Sequence, residues 1–370
     1  MPDLLLTGAS VLRQGAWVPG DVVCRAGALT DGPAEPDAEV VDLSGFLLAP
    51  GYVDLQCNGA LGIDVTSAPD RLWELAAALP RWGVTAWLPT VLTAPVGAID
   101  AALVALAAGP PAGWRGATPL GLHLEGPFLA PATRGAHREA LLRSPSLAEV
   151  AGWSPSAGVA VVTLAPELPG ADAVQAALVE RGVVVSLGHT AATAAQATAA
   201  IDAGARWVTH LFNGMTPFHH REPGLAGVAL SDPRVHVGLI ADGIHVHPTA
   251  VAMAQRALGP RLTLVTDAVG ALGVPSISAE PGVRLADGTL AGSDVAMDQA
   301  VRNLVAFAGC RPADAVHAAT AAPAAVLDDA LRGAVVPGAR ADLVVLTPDL
   351  HVVSTYVGGE LVHDARWSRA

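Results

Sequence analysis

Four acidic or imidazole side chains each close an apolar run, and together they have the composition of a hydrolytic metal site. They are Glu125, in the stretch GLHLEGPF, His189, in SLGHT, His210, in WVTH, and Asp267, in LVTD. One carboxylate and two imidazoles can give three protein ligands to Zn²⁺ and leave one position open, which is the catalytic pattern. A single buried histidine of this kind is also typical of a hydrogen-bonded core residue, and that alternative stays open for each histidine taken alone.

The fourth side chain, Asp267, suits proton transfer. A bound ion lowers the pKa of its water towards about 7 and polarises a carbonyl group. A carboxylate beside that water can take its proton and pass it to a leaving group. The Glu-His-His set suits Zn²⁺, and Fe²⁺ is also compatible with it.

These residues must be positioned by the strands that precede them. The middle of the chain alternates apolar strand candidates with helical patterns, and the strand candidates are 51–56, 84–89, 118–124, 158–165, 182–188, 206–211, 234–241 and 261–266. Eight such units over about 250 residues predict a (β/α)8 barrel. Glu125, His189, His210 and Asp267 then follow strands three, five, six and eight, at the end of the barrel where catalytic groups lie. An open doubly wound sheet is the alternative, but no G-x-G-x-x-G follows the first strand.

Both ends of the chain are rich in short strands and turns. Residues 1–49 and 335–370 are therefore predicted to form one small β-sandwich domain, and residues 50–334 the metal-dependent barrel.

Composition narrows the class of protein. The net charge of −13 argues against nucleic acid or an anionic membrane as the main partner. None of the 21 basic residues is lysine, which excludes Schiff-base, P-loop and carboxylated-lysine chemistry. Three scattered cysteines, no visible signal peptide and no long apolar run favour a cytoplasmic protein without a membrane span.

A series of motifs runs in order through nearly the whole predicted barrel: PGYVDLQCNG from residue 50, GLHLEGPF from 121, GAH from 135, GHT from 188, THLFNGMTP from 209, REPG from 221, ADGIH from 241, TDA from 266 and LAGS from 290. In these motifs the chain resembles the N-acetylglucosamine-6-phosphate deacetylases of the amidohydrolase superfamily. The closing segment ADLVVL, from residue 341, is similar to that family's return to the β domain.

The resemblance implies roles for individual residues. Glu125, His189 and His210 would bind one divalent metal ion per subunit, Asp267 would be the general base and then the general acid, and His137 would contact the acetyl carbonyl oxygen. The substrate would be bound by Ala136, His137, Asn213, Gly214, Arg221, His245, Leu290, Ala291 and Gly292. Arg221 and His245 would bind the phosphate of the neighbouring active site in a homodimer.

The first strand bears on the number of metal ions. Many amidohydrolases carry His-x-His there, whereas this chain has Gln56, Cys57 and Asn58. Amides are poor ligands beside imidazole, so a single-metal site is expected. Cys57 could be a soft ligand, but on a strand it would point away from the face that carries Gln56 and Asn58.

The expected reaction is hydrolysis of the N-acetyl group of N-acetyl-D-glucosamine 6-phosphate by a metal-bound hydroxide, giving glucosamine 6-phosphate and acetate. Alternatives are the same reaction on N-acetylgalactosamine 6-phosphate, another amidohydrolase reaction, and a catalytically dead barrel that only binds. Deamination and cyclic-amide hydrolysis are disfavoured, because the enzymes that catalyse them usually have His-x-His where this chain has Gln56 and Asn58. A catalytically dead barrel is disfavoured because all three candidate metal ligands are present.

Overall fold

The computed structural model describes residues 2–275 and 281–365. Its strands are β1 (Leu4–Arg13), β2 (Ala16–Arg25), β3 (Ala28–Thr30), β4 (Glu39–Asp42), β5 (Leu47–Pro50), β6 (Tyr52–Cys57), β7 (Gly59–Ala60), β8 (Ile63–Asp64), β9 (Val84–Leu92), β10 (Thr118–Pro119), β11 (Leu122–Glu125), β12 (Val159–Leu164), β13 (Val184–Leu187), β14 (Trp207–Val208), β15 (His236–Leu239), β16 (Leu262–Leu264), β17 (Leu343–Leu346), β18 (Val352–Val357) and β19 (Glu360–Asp364). Its α-helices are α1 (Leu72–Ala78), α2 (Ala98–Ala107), α3 (Ala171–Glu180), α4 (Ala194–Asp202), α5 (Gly224–Ser231), α6 (Pro248–Leu258), α7 (Met297–Ala308), α8 (Pro312–Ala319) and α9 (Ala321–Val326).

Eight parallel strands form the barrel that the sequence predicts. They pair in the order β6-β9-β11-β12-β13-β14-β15-β16. The segment after β16 returns to the first strand, where Cys57 forms a parallel bridge with Ala268 and the N–H of Asp267 donates to the carbonyl of Gln56 at 2.8 Å. The strands are rich in Val and Leu because both of their faces are buried, as expected for a parallel sheet.

Helices cover the barrel, and local sequence sets their ends. Thr193 and Gln196 form a capping box at the start of α4. Gly83, Gly182 and Gly204 have φ of 79°, 81° and 100°, the left-handed conformation that ends a helical segment. Within residues 2–275 and 281–365, no helix combines the length and apolar character needed to cross a bilayer.

Both chain termini contribute to one mixed sheet. Its strand order is β19-β18-β17-β5-β1-β2-β3, and β4 adds to β1. The sheet packs around its own apolar cluster, in which Leu6, Val11, Leu43, Leu343 and Val345 are fully buried. The domain bounds at residues 49 and 335 stay a prediction.

A polar network fills the barrel below the site. Nε2 of His123 lies 2.7 Å from the hydroxyl of Thr163, which lies 2.8 Å from the hydroxyl of Thr209, and Ser186 joins the same hydroxyl at 2.6 Å. These partners hold His123 one layer below Glu125, as a support of the barrel interior.

Candidate active site

Three side chains from neighbouring strands converge at one end of the barrel. Glu125 is the last residue of β11. His189 lies two residues after the end of β13, and His210 lies two residues after the end of β14. The backbone turns sharply at both histidines, which have positive φ of 48° and 24°. Residues other than glycine rarely have a positive φ, and those that do are concentrated at functional sites. Here it directs both imidazoles towards Glu125.

The three ligand atoms are close enough to share one ion. Oε1 of Glu125 lies 3.1 Å from Nε2 of His189 and 2.9 Å from Nε2 of His210, and the two Nε2 atoms are 3.1 Å apart. Nδ1 of His189 lies 3.0 Å from the carbonyl of Thr133, which requires a proton on Nδ1 and leaves the Nε2 lone pair for a metal. The donor set therefore fits a divalent ion with one carboxylate and two imidazole ligands.

Burial and charge act in opposite directions on these groups. Burial alone would raise the pKa of Glu125, but its contacts with His137, His189 and His210 hold that pKa well below the usual range. Burial, with His137 nearby, lowers the pKa of His189 to about 4. Glu125 is therefore a carboxylate and His189 a neutral imidazole at neutral pH, the forms that bind metal ions.

Asp267 lies beside this group, three residues beyond β16. Its φ of 47° is again positive, and its Oδ1 accepts hydrogen bonds from Nδ2 of Asn58 at 2.7 Å and Nε2 of Gln56 at 3.2 Å. The same Gln56 amide donates to Oε1 of Glu125 at 2.9 Å, so it connects the two carboxylates. Burial, together with the negative charge of Glu125, raises the pKa of Asp267 to about 6. A carboxylate with a pKa near neutrality is suited to general acid–base work.

His137 lies on the other side of Glu125. Its Nε2 is 3.7 Å from Oε2 of Glu125, and its ring meets that of His189 edge-on with centroids 4.5 Å apart. On its far side, Nδ1 lies 3.0 Å from the hydroxyl of Thr93. The ring is therefore buried with one nitrogen directed to Thr93 and the other towards Glu125.

A cavity of about 410 Å³ opens above these groups, within the range of small-molecule sites. The predicted site residues that line it are Glu125, Ala136, His137, His189, His210, Asn213, Gly214, His245, Asp267, Leu290, Ala291 and Gly292, and its further lining residues are Asn58, Leu92, Gly135, Val269, Leu285 and Thr289. The structure thus brings together every predicted site residue except Arg221. That side chain is exposed and lies 3.0 Å from Nε2 of His220.

His245 is predicted, with Arg221, to reach into a neighbouring active site, and that arrangement stays a prediction. His245 lines the cavity of its own chain. Asp242 holds it there, because one carboxylate oxygen accepts from the N–H groups of Ile244 and His245 at 2.8 Å, and the other lies 2.6 Å from Nδ1 of the ring. The turn thus fixes the ring against this cavity, and a contribution across subunits remains a prediction for both Arg221 and His245.

A hairpin over residues 283–291 forms one wall of the cavity. Arg284 pairs with Leu290, and the N–H of Ala291 donates to the carbonyl of Val283 at 2.9 Å. The hairpin joins the barrel at Ser293, whose N–H donates to the carbonyl of Asp267 at 2.8 Å. Gly292 precedes this junction with a φ of 70°, and a Cβ atom there would lie 2.4 Å from Cγ1 of Val269.

Sequence reasoning treated Gln56 and Asn58 only as poor metal ligands. The structure shows that Gln56 donates to both carboxylates and that Asn58 donates to Asp267. Their spacing of two on a strand was the available signal, because such residues share one face. Cys57 lies between them, and its Sγ is 3.8 Å from the carbonyl of Gly59. Burial raises the pKa of its thiol well above the usual value, which disfavours the thiolate that a metal would need.

The chain matches the amidohydrolase family over residues 47–362. It is 42% identical over 336 residues to the N-acetylgalactosamine-6-phosphate deacetylase of Escherichia coli O157:H7, covering 87% of this chain and 89% of the relative. It is 39% identical over 388 residues to the N-acetylglucosamine-6-phosphate deacetylase of Rattus norvegicus, covering 98% and 94%.

A solved structure gives the same result. A mutant N-acetyl-D-glucosamine-6-phosphate deacetylase from Mycobacterium smegmatis, in complex with N-acetyl-D-glucosamine-6-phosphate, superimposes with a TM-score of 0.88 at 36% identity, covering 98% of this chain and 100% of that chain. The chain therefore belongs to the amidohydrolase family and, within it, to the group that contains the N-acetylglucosamine-6-phosphate deacetylases.

Proposed function

We propose that this protein hydrolyses the N-acetyl group of N-acetyl-D-glucosamine 6-phosphate, giving glucosamine 6-phosphate and acetate. The observation that carries the proposal is the convergence of Glu125, His189, His210, Asp267 and His137 on one cavity. The proposal is supported by the names of the relatives and by the sugar phosphate bound to the Mycobacterium smegmatis protein.

The metal ligands in this proposal are Glu125, His189 and His210. When bound, a divalent ion there would lower the pKa of a water molecule and polarise the acetyl carbonyl. Zn²⁺ is the proposed ion, with Fe²⁺ also compatible, because two imidazoles and one carboxylate suit both. One ion per subunit is proposed, since the first strand presents the amides Gln56 and Asn58.

The remaining chemistry falls to this chain's own side chains. Asp267 takes a proton from the attacking water, because its pKa of about 6 leaves it ionised at neutral pH and still able to hold the proton briefly. It then delivers that proton to the nitrogen of the leaving amine. His137 donates from Nε2 to the oxygen of the acetyl carbonyl, where negative charge develops in the transition state.

The phosphate needs donors other than lysine, which this chain lacks. Asn213, Gly214 and His245 are the proposed donors from the cavity wall, with Ala136, Leu290, Ala291 and Gly292 in contact with the rest of the substrate. Arg221 is exposed and is not among the described residues that line the cavity of its own chain. We therefore propose a homodimer in which Arg221 of each subunit binds the phosphate in the other site, where its planar donor pair suits phosphate.

N-acetyl-D-galactosamine 6-phosphate is the second candidate substrate. The relative that is 42% identical is named for it. The two sugars differ only in the configuration at C4, so the same deacetylation chemistry applies to both. The cytoplasm is the proposed location, since all three cysteines are free thiols.

Acetate release from purified protein tests these proposals. The protein should release acetate from N-acetyl-D-glucosamine 6-phosphate, lose that activity on treatment with a chelator and regain it when Zn²⁺ is returned. A kcat/KM at least tenfold higher for the galactosamine epimer would replace the proposed substrate with the second candidate. No acetate from either sugar, in protein that holds one ion per subunit, would contradict the deacetylase proposal.

A further inference from the structure

Thr93 lies directly behind His137 at the end of β9. Its side chain is buried, with 8% of the residue exposed. Its hydroxyl lies 3.0 Å from Nδ1 of His137, and its backbone N–H is directed at the same nitrogen at 3.4 Å. The hydroxyl can also donate to the carbonyl of Glu125 at the longer distance of 3.3 Å, so Thr93 connects His137 to the strand that carries a proposed metal ligand.

The backbone N–H distinguishes between the two neutral forms of the imidazole. A hydroxyl has one proton, so its contacts alone are compatible with either tautomer. It can donate to Nδ1 at 3.0 Å, or it can donate to the carbonyl of Glu125 at 3.3 Å while Nδ1 donates to the hydroxyl oxygen. A backbone N–H can only donate, and its direction towards Nδ1 requires a lone pair on that nitrogen. The single ring proton of neutral His137 then lies on Nε2, the nitrogen 3.7 Å from Oε2 of Glu125.

The space for this contact depends on a glycine. Gly126 follows Glu125 with a φ of 93°, and a Cβ atom there would lie 2.3 Å from the hydroxyl oxygen of Thr93. The turn after β11 therefore leaves room for the Thr93 hydroxyl beneath His137.

We propose that Thr93 is a positioning residue that fixes His137 in the tautomer with the proton on Nε2, so that the ring can donate to the substrate carbonyl. The consequence for the rate rests on the proposed function, whereas the tautomer itself does not. An imidazole with its proton on Nδ1 would present a lone pair to the developing negative charge, which would oppose the reaction.

Two substitutions and a matched control separate this role from simple packing. Thr93→Val removes the hydroxyl with little change of shape, and Thr93→Ser keeps it. Thr85→Val is the control, because Thr85 lies near the start of the same strand, is fully buried, and has a hydroxyl that donates to the carbonyl of Tyr52 at 3.3 Å, far from the cavity. Loss of a residue that orients a metal-binding histidine commonly costs about 10- to 100-fold in activity, and we expect a loss of this order for a residue that orients His137.

We expect Thr93→Val to lower kcat at least tenfold with KM nearly unchanged, because the carbonyl contact strengthens only in the transition state. Thr93→Ser should recover most of this loss, and Thr85→Val should turn over normally. Equal melting temperatures and metal contents for the two valine variants would show that folding and metal binding do not explain the difference. Normal kcat in a folded Thr93→Val protein would overturn the proposal.

The ring nitrogens give a readout that does not depend on turnover. In zinc-loaded protein labelled with ¹⁵N-histidine, the signal that disappears in His137→Gln should have the nitrogen shifts of a neutral ring protonated on Nε2, and Thr93→Val should lower the population of this form. A wild-type ring protonated on Nδ1 would also overturn the proposal. If the wild type releases no acetate, the proposed function fails, and the nitrogen shifts still decide whether Thr93 fixes the tautomer.

Discussion

At the scale of single residues, the site is held in backbone conformations that its side chains disfavour. His189, His210 and Asp267 all have positive φ, and none is glycine. The left-handed conformation costs about 1–2 kcal/mol for such a residue. The surrounding barrel must therefore hold these turns in place, and each turn directs its side chain into the shared cavity.

Asp267→Asn tests the assignment of proton transfer. The amide keeps the size of the side chain and its place beside Asn58, but it cannot take a proton from water. We expect kcat to fall by about 10²- to 10⁴-fold, the usual contribution of a general acid–base group, with metal content and KM nearly unchanged. Steady-state kinetics and metal analysis of the purified variant measure this, and near-normal turnover would remove Asp267 from the mechanism.

The chemistry of the proposed metal ligands and of the proposed general base could be predicted from residue types, because Glu125, His189, His210 and Asp267 each close an apolar strand. The supporting contacts could not. Thr93 follows a strand like many other threonines, and only the folded chain shows that it lies 3.0 Å from His137. Asp54 was missed for the same reason, since its partner Thr266 is 212 residues away in sequence.

At the scale of elements, Asp54 connects the first strand of the barrel to the last. Oδ2 of Asp54 accepts from the hydroxyl of Thr266 at 2.6 Å, and Oδ1 accepts from the N–H of Gln56 at 3.2 Å. Burial outweighs these hydrogen bonds and raises the pKa of Asp54 from 3.8 to about 7. The folded protein therefore holds a proton at this position over a pH range in which the unfolded chain releases it.

This proton makes stability depend on pH in a defined direction. Between about pH 4 and pH 7 the folded state binds more protons at Asp54 than the unfolded state, so its contribution to the free energy of unfolding falls as pH rises. Asp54→Asn should remove that part of the slope, because Thr266 can accept from the amide. Urea denaturation of wild type and variant across this range measures it, with exposed Asp37→Asn as the control. Parallel curves for wild type and Asp54→Asn would refute the assignment.

The hairpin over residues 283–291 and the residue that follows it offer a matched pair of glycines. Gly288 and Gly292 have φ of 88° and 70°, so alanine at either position carries similar backbone strain. A Cβ atom at Gly288 meets nothing within 4 Å, whereas one at Gly292 would lie 2.8 Å from the carbonyl oxygen of Asp267. We expect Gly292→Ala to lower kcat/KM by about 10- to 100-fold through displacement of Asp267, and Gly288→Ala to change it little. Equal losses in the two variants would show that backbone strain alone is responsible.

The repeating elements of the barrel could be predicted because parallel strands buried on both faces are continuous apolar runs. All eight predicted strands are present, and helices such as α4 lie between them as the alternating pattern predicts. Strand length was less predictable: the run 206–211 contains only the two-residue strand β14, because the backbone turns at His210 to present its side chain. The hairpin wall was not predicted, since its residues have no alternating apolar pattern.

At the scale of the whole molecule, the protein and its proposed substrate, a sugar phosphate, both carry negative charge. A net charge of −13 repels a sugar phosphate, so a local group of donors must offset it. His245 lies in the wall of the chain's own cavity, whereas Arg221 is exposed beside His219 and His220. A second subunit that brings this basic segment to the cavity would complete the phosphate site.

Mixed dimers test that arrangement directly. Arg221→Ala and Asp267→Asn should each be nearly inactive alone. In a dimer with one subunit of each kind, the site that retains Asp267 would receive Arg221 from the Asp267→Asn subunit and be intact, while the other site would carry both lesions. Random exchange of equal amounts should therefore restore about a quarter of wild-type activity, since half of the dimers are mixed and each has one intact site. If Arg221 served its own subunit, every site would carry one lesion and mixing would restore nothing. Acetate release before and after subunit exchange, with each variant exchanged against itself as the control, distinguishes the two outcomes.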